Sequence, residues 1–301
     1  MMHELSQEVH CPLCAGTSEP YLEKKGADGK LYSVYRCTRC TLWHLHPLPK
    51  DTELFSLYQS NYFKARSDRG YSDYTSKKVE ESVIQTLQKN LTDLKFFKWE
   101  LSLHEKRLLE VGSAAGHAVG YFAERGWETQ GLDIAEEMVE RGRARGLNLV
   151  AADFLQFDFS KKKFSLITHW ATLEHLPNAQ LFLRKMAELL LPEGRIYLST
   201  CNTGLFAKIR GVEWRYLNVP EHVFYFNKKS LIQLAKSSGL CIVRSFSYGS
   251  GFTARENASW GYKLTKRIAD TLARYFLWGD MVVVELQRAQ SKFRPSSTAR
   301  L

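Results

Sequence analysis

"RLLEVGSAAGHAVGYFAERGWETQGLDI", Arg107 to Ile134, holds the turn on which the reading of the whole chain depends. An apolar run breaks into small residues at Gly112, an amphipathic segment follows, and a second apolar run ends in Asp133. That order predicts a strand, a tight loop, a helix and a second strand whose carboxylate faces a ligand. A dinucleotide loop needs G-x-G-x-x-G so that the backbone can approach a pyrophosphate. Counted from Gly112, the other two positions are Ala114 and His117, so only the first fits. A phosphate loop of the G-x-x-x-x-G-K-[ST] kind also fails, because no Lys-Ser/Thr follows. What the segment matches is E-x-G-x-x-x-G, with Glu110 ending the strand and Gly112 and Gly116 around the turn.

Outward from that turn the chain alternates apolar strands with amphipathic helices, the pattern of a parallel sheet in an α/β fold. Strands are expected at Arg107–Val111, Thr129–Asp133, Leu147–Ala151, Phe164–Trp170 and Arg195–Thr200, with two late ones at Leu240–Ser245 and Met281–Leu286. Helices are expected at Ala118–Arg125, Glu136–Arg145, Ala179–Leu191 and Lys228–Ser238. Upstream, Val79, Val83, Ile84 and Leu87 recur at spacings of three and four, which predicts a long core-facing helix.

Three acids fall at the ends of three consecutive strands, and open α/β sheets bind ligands in the crevice there. A sulfonium amino acid needs no phosphate cradle. Small residues from Gly112 through Ala114 to Gly116 let its methionine part lie on the backbone, and Glu110 meets its ammonium directly or through water. Asp133, with Ile134 beside it, is placed for the ribose hydroxyls. Asp153 suits the adenine amino group, with Phe154 beside the ring. Alone, Gly112 reads equally as a turn glycine and Asp133 as a helix N-cap; the combination with the strand spacing decides.

On these residues, Arg107 to Leu286 resembles the class I S-adenosylmethionine-dependent methyltransferases, whose first motif reads like "LLEVGSAAG". The resemblance implies a Rossmann-like seven-stranded sheet in the order 3-2-1-4-5-7-6, closed by an antiparallel hairpin. Ala114 stands where the fuller family loop has its middle glycine. Amine-methylating relatives acting on nucleic-acid bases carry Asn/Asp-Pro-Pro-aromatic after the fourth strand. Thr168-His169-Trp170-Ala171 stands there instead, so base N-methylation loses support, and His169 and Trp170 are expected at the methionine end of the cofactor. Some relatives bind a metal through Glu-x-x-Glu-His. Here Glu174 and His175 match but the first position is Ala171, which favours a pair that fixes the loop before Pro177.

The connection "CNTGLFAKIRGVEWRYLNVPEHVFYFNKKSL" is long for a compact domain, and such loops often carry function. In resembling enzymes a P-x-H-x-x-x-F segment lies over the active site, here Pro220, His222 and Phe226. His222 is the first candidate base, with His175 and His169 as the other imidazoles, and a structural role for His222 is equally open. Trp214, Arg215 and Tyr216 read as lining for a polar or anionic substrate, or as lid core. Methyl transfer from a sulfonium needs alignment more than a nucleophile dyad, so the lack of one does not count against an enzyme.

Ahead of all this, Cys11, Cys14, Cys37 and Cys40 form C-x2-C-x22-C-x2-C. Two knuckle pairs give four thiolates the tetrahedron that Zn2+ prefers, a closed structural site. His44 and His46 read as packing, Cys201 and Cys241 as core. Domains are expected at 1–50 (zinc ribbon), 51–104 (helical linker or cap, with Tyr58, Tyr62, Phe63, Tyr71 and Tyr74 over the crevice) and 105–301 (methyltransferase). An aromatic, basic insertion at 247–279 reads as a dimer face, a membrane-touching helix or a substrate lid. The chain opens without a signal-peptide pattern and has no apolar run of spanning length, which predicts a cytoplasmic enzyme. The expected activity is O-methylation of a small-molecule or glycan-type acceptor. The net charge of +10, with Lys263, Lys266, Arg267 and Arg274 and the late Arg288, Lys292, Arg294 and Arg300, keeps RNA methylation as the alternative. Sugar C-methylation and a non-enzymatic scaffold that keeps the cofactor fold also remain.

Overall fold

A computed structural model describes residues 8–57, 63–66, 71–250 and 258–289. The N-terminal ribbon consists of β1 (Val9–His10), β2 (Thr17–Lys25), β3 (Leu31–Cys37) and β4 (Trp43–Leu45), paired antiparallel in that order. Next come α1 (Asp51–Leu57), a hairpin of β5 (Lys64–Arg66) and β6 (Tyr71–Asp73), and the helices α2 (Lys77–Asp93) and α3 (Phe96–Glu100). The single long helix read from the sequence is thus two helices, divided at Lys95, whose φ of 60° is left-handed. The break lets Leu91, Leu94, Phe96 and Trp99 all enter the core, which one straight helix would place on different faces.

The catalytic sheet contains β7 (Arg107–Val111), β8 (Glu128–Asp133), β9 (Leu149–Ala151), β10 (Phe164–Trp170), β11 (Leu190–Cys201), β13 (Leu240–Tyr248) and β14 (Met281–Arg288). Their order is β9-β8-β7-β10-β11-β14-β13, with β14 antiparallel to both neighbours. Read in domain numbering this is 3-2-1-4-5-7-6. Central β10 is buried from Phe164 through His169, as a strand covered on both faces must be. The flanking helices are α4 (His117–Glu124), α5 (Glu136–Arg143), α6 (Ala179–Leu189) and α8 (Lys228–Ser237). Asn227 starts α8 with a reciprocal capping box to Ser230. Cys241, read as core, is exposed because β13 is the outer strand of the sheet.

The long connection after β11 folds into α7 (Leu205–Arg210) and a short strand, β12 (Phe224–Tyr225). This strand leaves the catalytic sheet and pairs antiparallel with β4, so the ribbon sheet runs β1-β2-β3-β4-β12. Behind that seam Trp214 meets Trp43 of the ribbon edge-on and Tyr225 at a tilt, all three fully buried. The ribbon's apolar side chains and those of the catalytic sheet form one continuous core. The insertion contains α9 (Trp260–Phe276), which packs on β13. Tyr58, Tyr62, the Tyr71 side chain, Lys292, Arg294 and Arg300 lie outside the described residues.

Candidate active site

A crevice of about 440 Å3 opens at the carboxyl ends of β7, β8, β9 and β10. That is the size range of small-ligand sites. Gly112 and Ala114 form its floor, Asp133 and Ile134 one side, Asp153 and Phe154 another, and Trp170 the far wall. Gly112 has φ +75°, and a Cβ there would come within 2.6 Å of Thr172 Oγ1, so the backbone is close to its neighbour as only glycine allows. Ala114 takes φ +45° and donates its N–H to Asp133 Oδ2 at 2.7 Å. Asp133 Oδ1 accepts from Ala135 N at 2.8 Å. These bonds aim the carboxylate, each oxygen keeping one further lone pair. Burial pushes its pKa up against them. Phe154 stacks on Phe182 at 5.3 Å, which fixes an aromatic wall next to Asp153.

Glu110 lies behind this lining rather than in it, 4% exposed. Its Oε2 has no hydrogen-bond partner among the described residues. Desolvation, with a smaller contribution from Asp133, raises its pKa to about 8. Gly116 also sits outside the lining. Its φ is +76°, and a Cβ would strike Leu147 and Leu149 at 2.9 and 3.0 Å, so it serves the packing of α4 on the β9 side. His169 is fully buried in β10, its Nδ1 2.9 Å from the Val111 carbonyl, and burial lowers its pKa to about 4. It does not reach the crevice. Placed there it has no route to a substrate proton, which corrects the expectation of a base at that position.

The other imidazoles converge. His175, in the 3-10 turn Leu173–His175, is buried and lines the crevice. His222 packs against it, ring centroids 4.6 Å apart and nearly perpendicular. Each Nδ1 is 2.9 Å from a carbonyl, Glu221 O for His175 and Tyr216 O for His222. A carbonyl only accepts, so in the neutral rings Nδ1 carries the proton and Nε2 the lone pair. Glu174 accepts from Thr200 Oγ1 at 2.8 Å. One donor atom each from Glu174, His175 and His222 lies within 4.8 Å of the others, so the loop after β11 supplies a third candidate metal ligand where Ala171 left a gap.

The substrate lining expected from Trp214, Arg215 and Tyr216 is not found. Trp214 is fully buried, its indole N–H donating to Asp280 Oδ1 at 2.8 Å. Arg215 is exposed and lies over the Tyr216 ring, and none of the three lines the crevice. The aromatic density that suggested a pocket belongs to the seam with the ribbon. Residues not foreseen are Leu54 from α1, Gln156, Thr172, Asn178 and Phe182. Leu54 was legible only as one more apolar residue of a linker helix. Phe63 and Tyr74 line the crevice, and Tyr74 is tied down by His117 Nε2, 3.1 Å from its carbonyl.

In the ribbon, Cys11 and Cys40 Sγ are 3.6 Å apart, Cys14 and Cys37 Sγ 3.5 Å. A tetrahedral zinc at about 2.3 Å from each sulfur places sulfurs about 3.8 Å apart, so the four thiols fit it. The N–H groups of Arg39 and Cys40 point at Cys37 Sγ, each 3.3 Å away, as in a knuckle. The neighbouring His44 bonds Ser18 Oγ and is packing.

A sheet of this order, with a glycine turn and strand-end acids around one crevice, defines a class I S-adenosylmethionine-dependent methyltransferase. The chain belongs to the methyltransferase-domain family, whose model matches residues 79–245. It is 26% identical over 164 residues to a ubiquinone biosynthesis O-methyltransferase of Coxiella burnetii (strain Dugway 5J108-111), covering 50% of this chain and 70% of that protein. A second relative is the biotin biosynthesis bifunctional protein BioHC of Cellvibrio japonicus, 27% identical over 46% of this chain and 28% of its own length. Among solved structures, the magnesium protoporphyrin IX methyltransferase of Synechocystis PCC 6803 with bound SAH aligns at a TM-score of 0.52, with 16% identity, over 80% of this chain and all of that one. A SAM-dependent methyltransferase from Archaeoglobus fulgidus aligns at 0.51, with 17% identity, over 79% and 100%. The cofactor is S-adenosylmethionine. Among the described residues no helix is long and apolar enough to cross a membrane.

Proposed function

We propose that this methyltransferase acts on an oxygen of a small polar or glycan-type acceptor, and that His175 takes the acceptor's proton. The observation that carries the reading is His175 in the wall of the crevice, backed by the His222 ring at 4.6 Å. The likeness to ubiquinone biosynthesis O-methyltransferases supports oxygen as the accepting atom. His222, first choice from sequence, becomes a positioning residue because both rings are buried but only His175 lines the crevice, and His222 holds it edge-on.

S-adenosylmethionine brings an activated methyl on a sulfonium. The chain's part is to place it. Asp133 holds the ribose hydroxyls with lone pairs directed by Ala114 and Ala135. Asp153 and Phe154 hold the adenine end, and the Gly112–Ala114 backbone the amino-acid end. Glu110, behind the lining, is assigned to the cofactor's ammonium through a bridging water, by the oxygen that has no partner among the described residues. Phe63 and Tyr74 exclude water over the cofactor, and His175 Nε2 receives the hydroxyl proton as the methyl arrives.

The experiment is transfer from methyl-labelled S-adenosylmethionine into host extract divided into small-molecule, glycan and RNA fractions. Label is expected in the small-molecule or glycan fraction, and His175→Ala should lower kcat by roughly 10²–10⁴ with cofactor binding retained. Ribonuclease-sensitive label, or an unchanged kcat in the variant, contradicts the proposal.

A further inference from the structure

Helix α9 turns its apolar side outward. Trp260 is 78% exposed, Leu264 41%, Ile268 52%, Leu272 40% and Tyr275 76%, at successive spacings of four and three. They form one stripe along 17 residues of helix, continued by Phe276 at 59%. The helix is fixed on its other side: Ala273 is buried and its carbonyl accepts from Ser247 Oγ, and Arg274 pairs with Asp93 of α2. The stripe therefore cannot turn inward. An apolar face of this size left in water marks an interaction surface.

Beside the stripe runs a shorter basic row, Lys263 and Arg267, four residues apart, with Arg274 in line but engaged by Asp93. Lys263 and Arg267 are exposed and form no ion pair among the described residues. With Lys89 and Lys266 they border a hollow of about 540 Å3 along the flank of α9, whose acidic member, Asp270, is engaged by Lys266 and Ser250. Hydrophobic and cationic rows thus adjoin on one rigid helix.

We propose that α9 is an interfacial helix that seats the enzyme on an anionic phospholipid bilayer. The apolar row enters the boundary between headgroups and acyl chains, Trp260 and Tyr275 lie at headgroup depth, and the basic row and hollow meet lipid phosphates. Charge complementarity selects this occupant. A second copy of a chain with net charge +10 brings another cationic row to the same contact. A nucleic acid would meet the basic row but leave Trp260, Leu264, Ile268 and Leu272 in water. An anionic bilayer satisfies both rows. The surface has a use: α9 follows β13, which runs parallel to β11 and ends on the same edge of the sheet as the cofactor crevice.

The test is co-sedimentation of the full chain with vesicles of equimolar phosphatidylglycerol and phosphatidylcholine, and with phosphatidylcholine alone. The chain should sediment with the anionic vesicles, less so as salt rises. Leu264→Glu/Ile268→Glu and Lys263→Glu/Arg267→Glu should each lower the partition coefficient at least tenfold while leaving S-adenosylmethionine binding unchanged, because removal of one basic residue costs roughly fivefold. Failure to sediment with anionic vesicles overturns the proposal. So does a dimer, seen by light scattering, that Leu264→Glu/Ile268→Glu dissolves while vesicles leave the chain in solution. Equal binding by the variants also overturns it.

Discussion

At the scale of single residues, the most informative group is Glu110. Its pKa in the fold is about 8, whereas an unfolded carboxyl titrates near 4.5. Between those values the folded chain holds a proton that the unfolded chain has lost, so stability falls as pH rises, by about 1.4 kcal/mol per unit at most. His169 has the opposite sign. With a folded pKa of about 4 against 6.5 unfolded, it makes stability rise with pH across that interval. The two slopes oppose each other from pH 4.5 to 6.5, and from there to pH 8 Glu110 alone of this pair still contributes, as a loss. Denaturant unfolding of the cofactor-free protein should therefore show, between pH 6.5 and 8, a stability that changes less favourably with rising pH in the wild type than in Glu110→Gln, by up to about 1.4 kcal/mol per unit. A cofactor ammonium near the Oε2 oxygen favours the charged carboxyl, so binding at pH 7 should release a proton, seen as a buffer-dependent heat in titration calorimetry. Glu110→Gln should lose that heat. An unchanged heat would mean that Glu110 is only structural.

At the scale of elements, the seam between β4 and β12 gives the zinc ribbon its consequence. Leu45 N donates to Val223 O at 3.0 Å, and Asn227, the cap of α8, donates to Thr41 O at 2.6 Å. The strand that pairs with the ribbon begins two residues after His222, on the loop that places that imidazole against His175. Loss of zinc should then loosen the active site as well as the ribbon. With Cys14→Ser, or a chelator strong enough to strip the metal, thermal unfolding should remain one transition at lower temperature, and kcat should fall with it. Two transitions, with the later one and activity intact, would show a ribbon independent of catalysis. The sequence could not show this coupling. "FYF" reads as three apolar residues before a capping box, and nothing in its spacing names β4 as its partner. The periodic elements were legible because each buries one face against the sheet: β7 and β10 have the bounds read from the sequence. The division at Lys95 was not legible, because a left-handed lysine leaves no mark in the apolar pattern.

At the scale of the whole molecule, the glycine turn and the acids after successive strands announced the crevice, since each is tied to its place in a local motif. The imidazole pair depends on a long loop returning over the sheet, and local pattern says nothing of where such a loop lands. Trp214 shows the same limit: its aromatic neighbours suggested a pocket and proved to be the seam between two sheets. The central claim is that the β7–β10 crevice holds S-adenosylmethionine and that Asp133 anchors it. Titration calorimetry of S-adenosylmethionine into the wild-type chain and into Asp133→Ala tests this most directly. The account predicts one site in the wild type and at least about a hundredfold weaker site in the variant, two charge-assisted hydrogen bonds being lost at roughly 1.5–3 kcal/mol each. Equal affinity in the two proteins would contradict it.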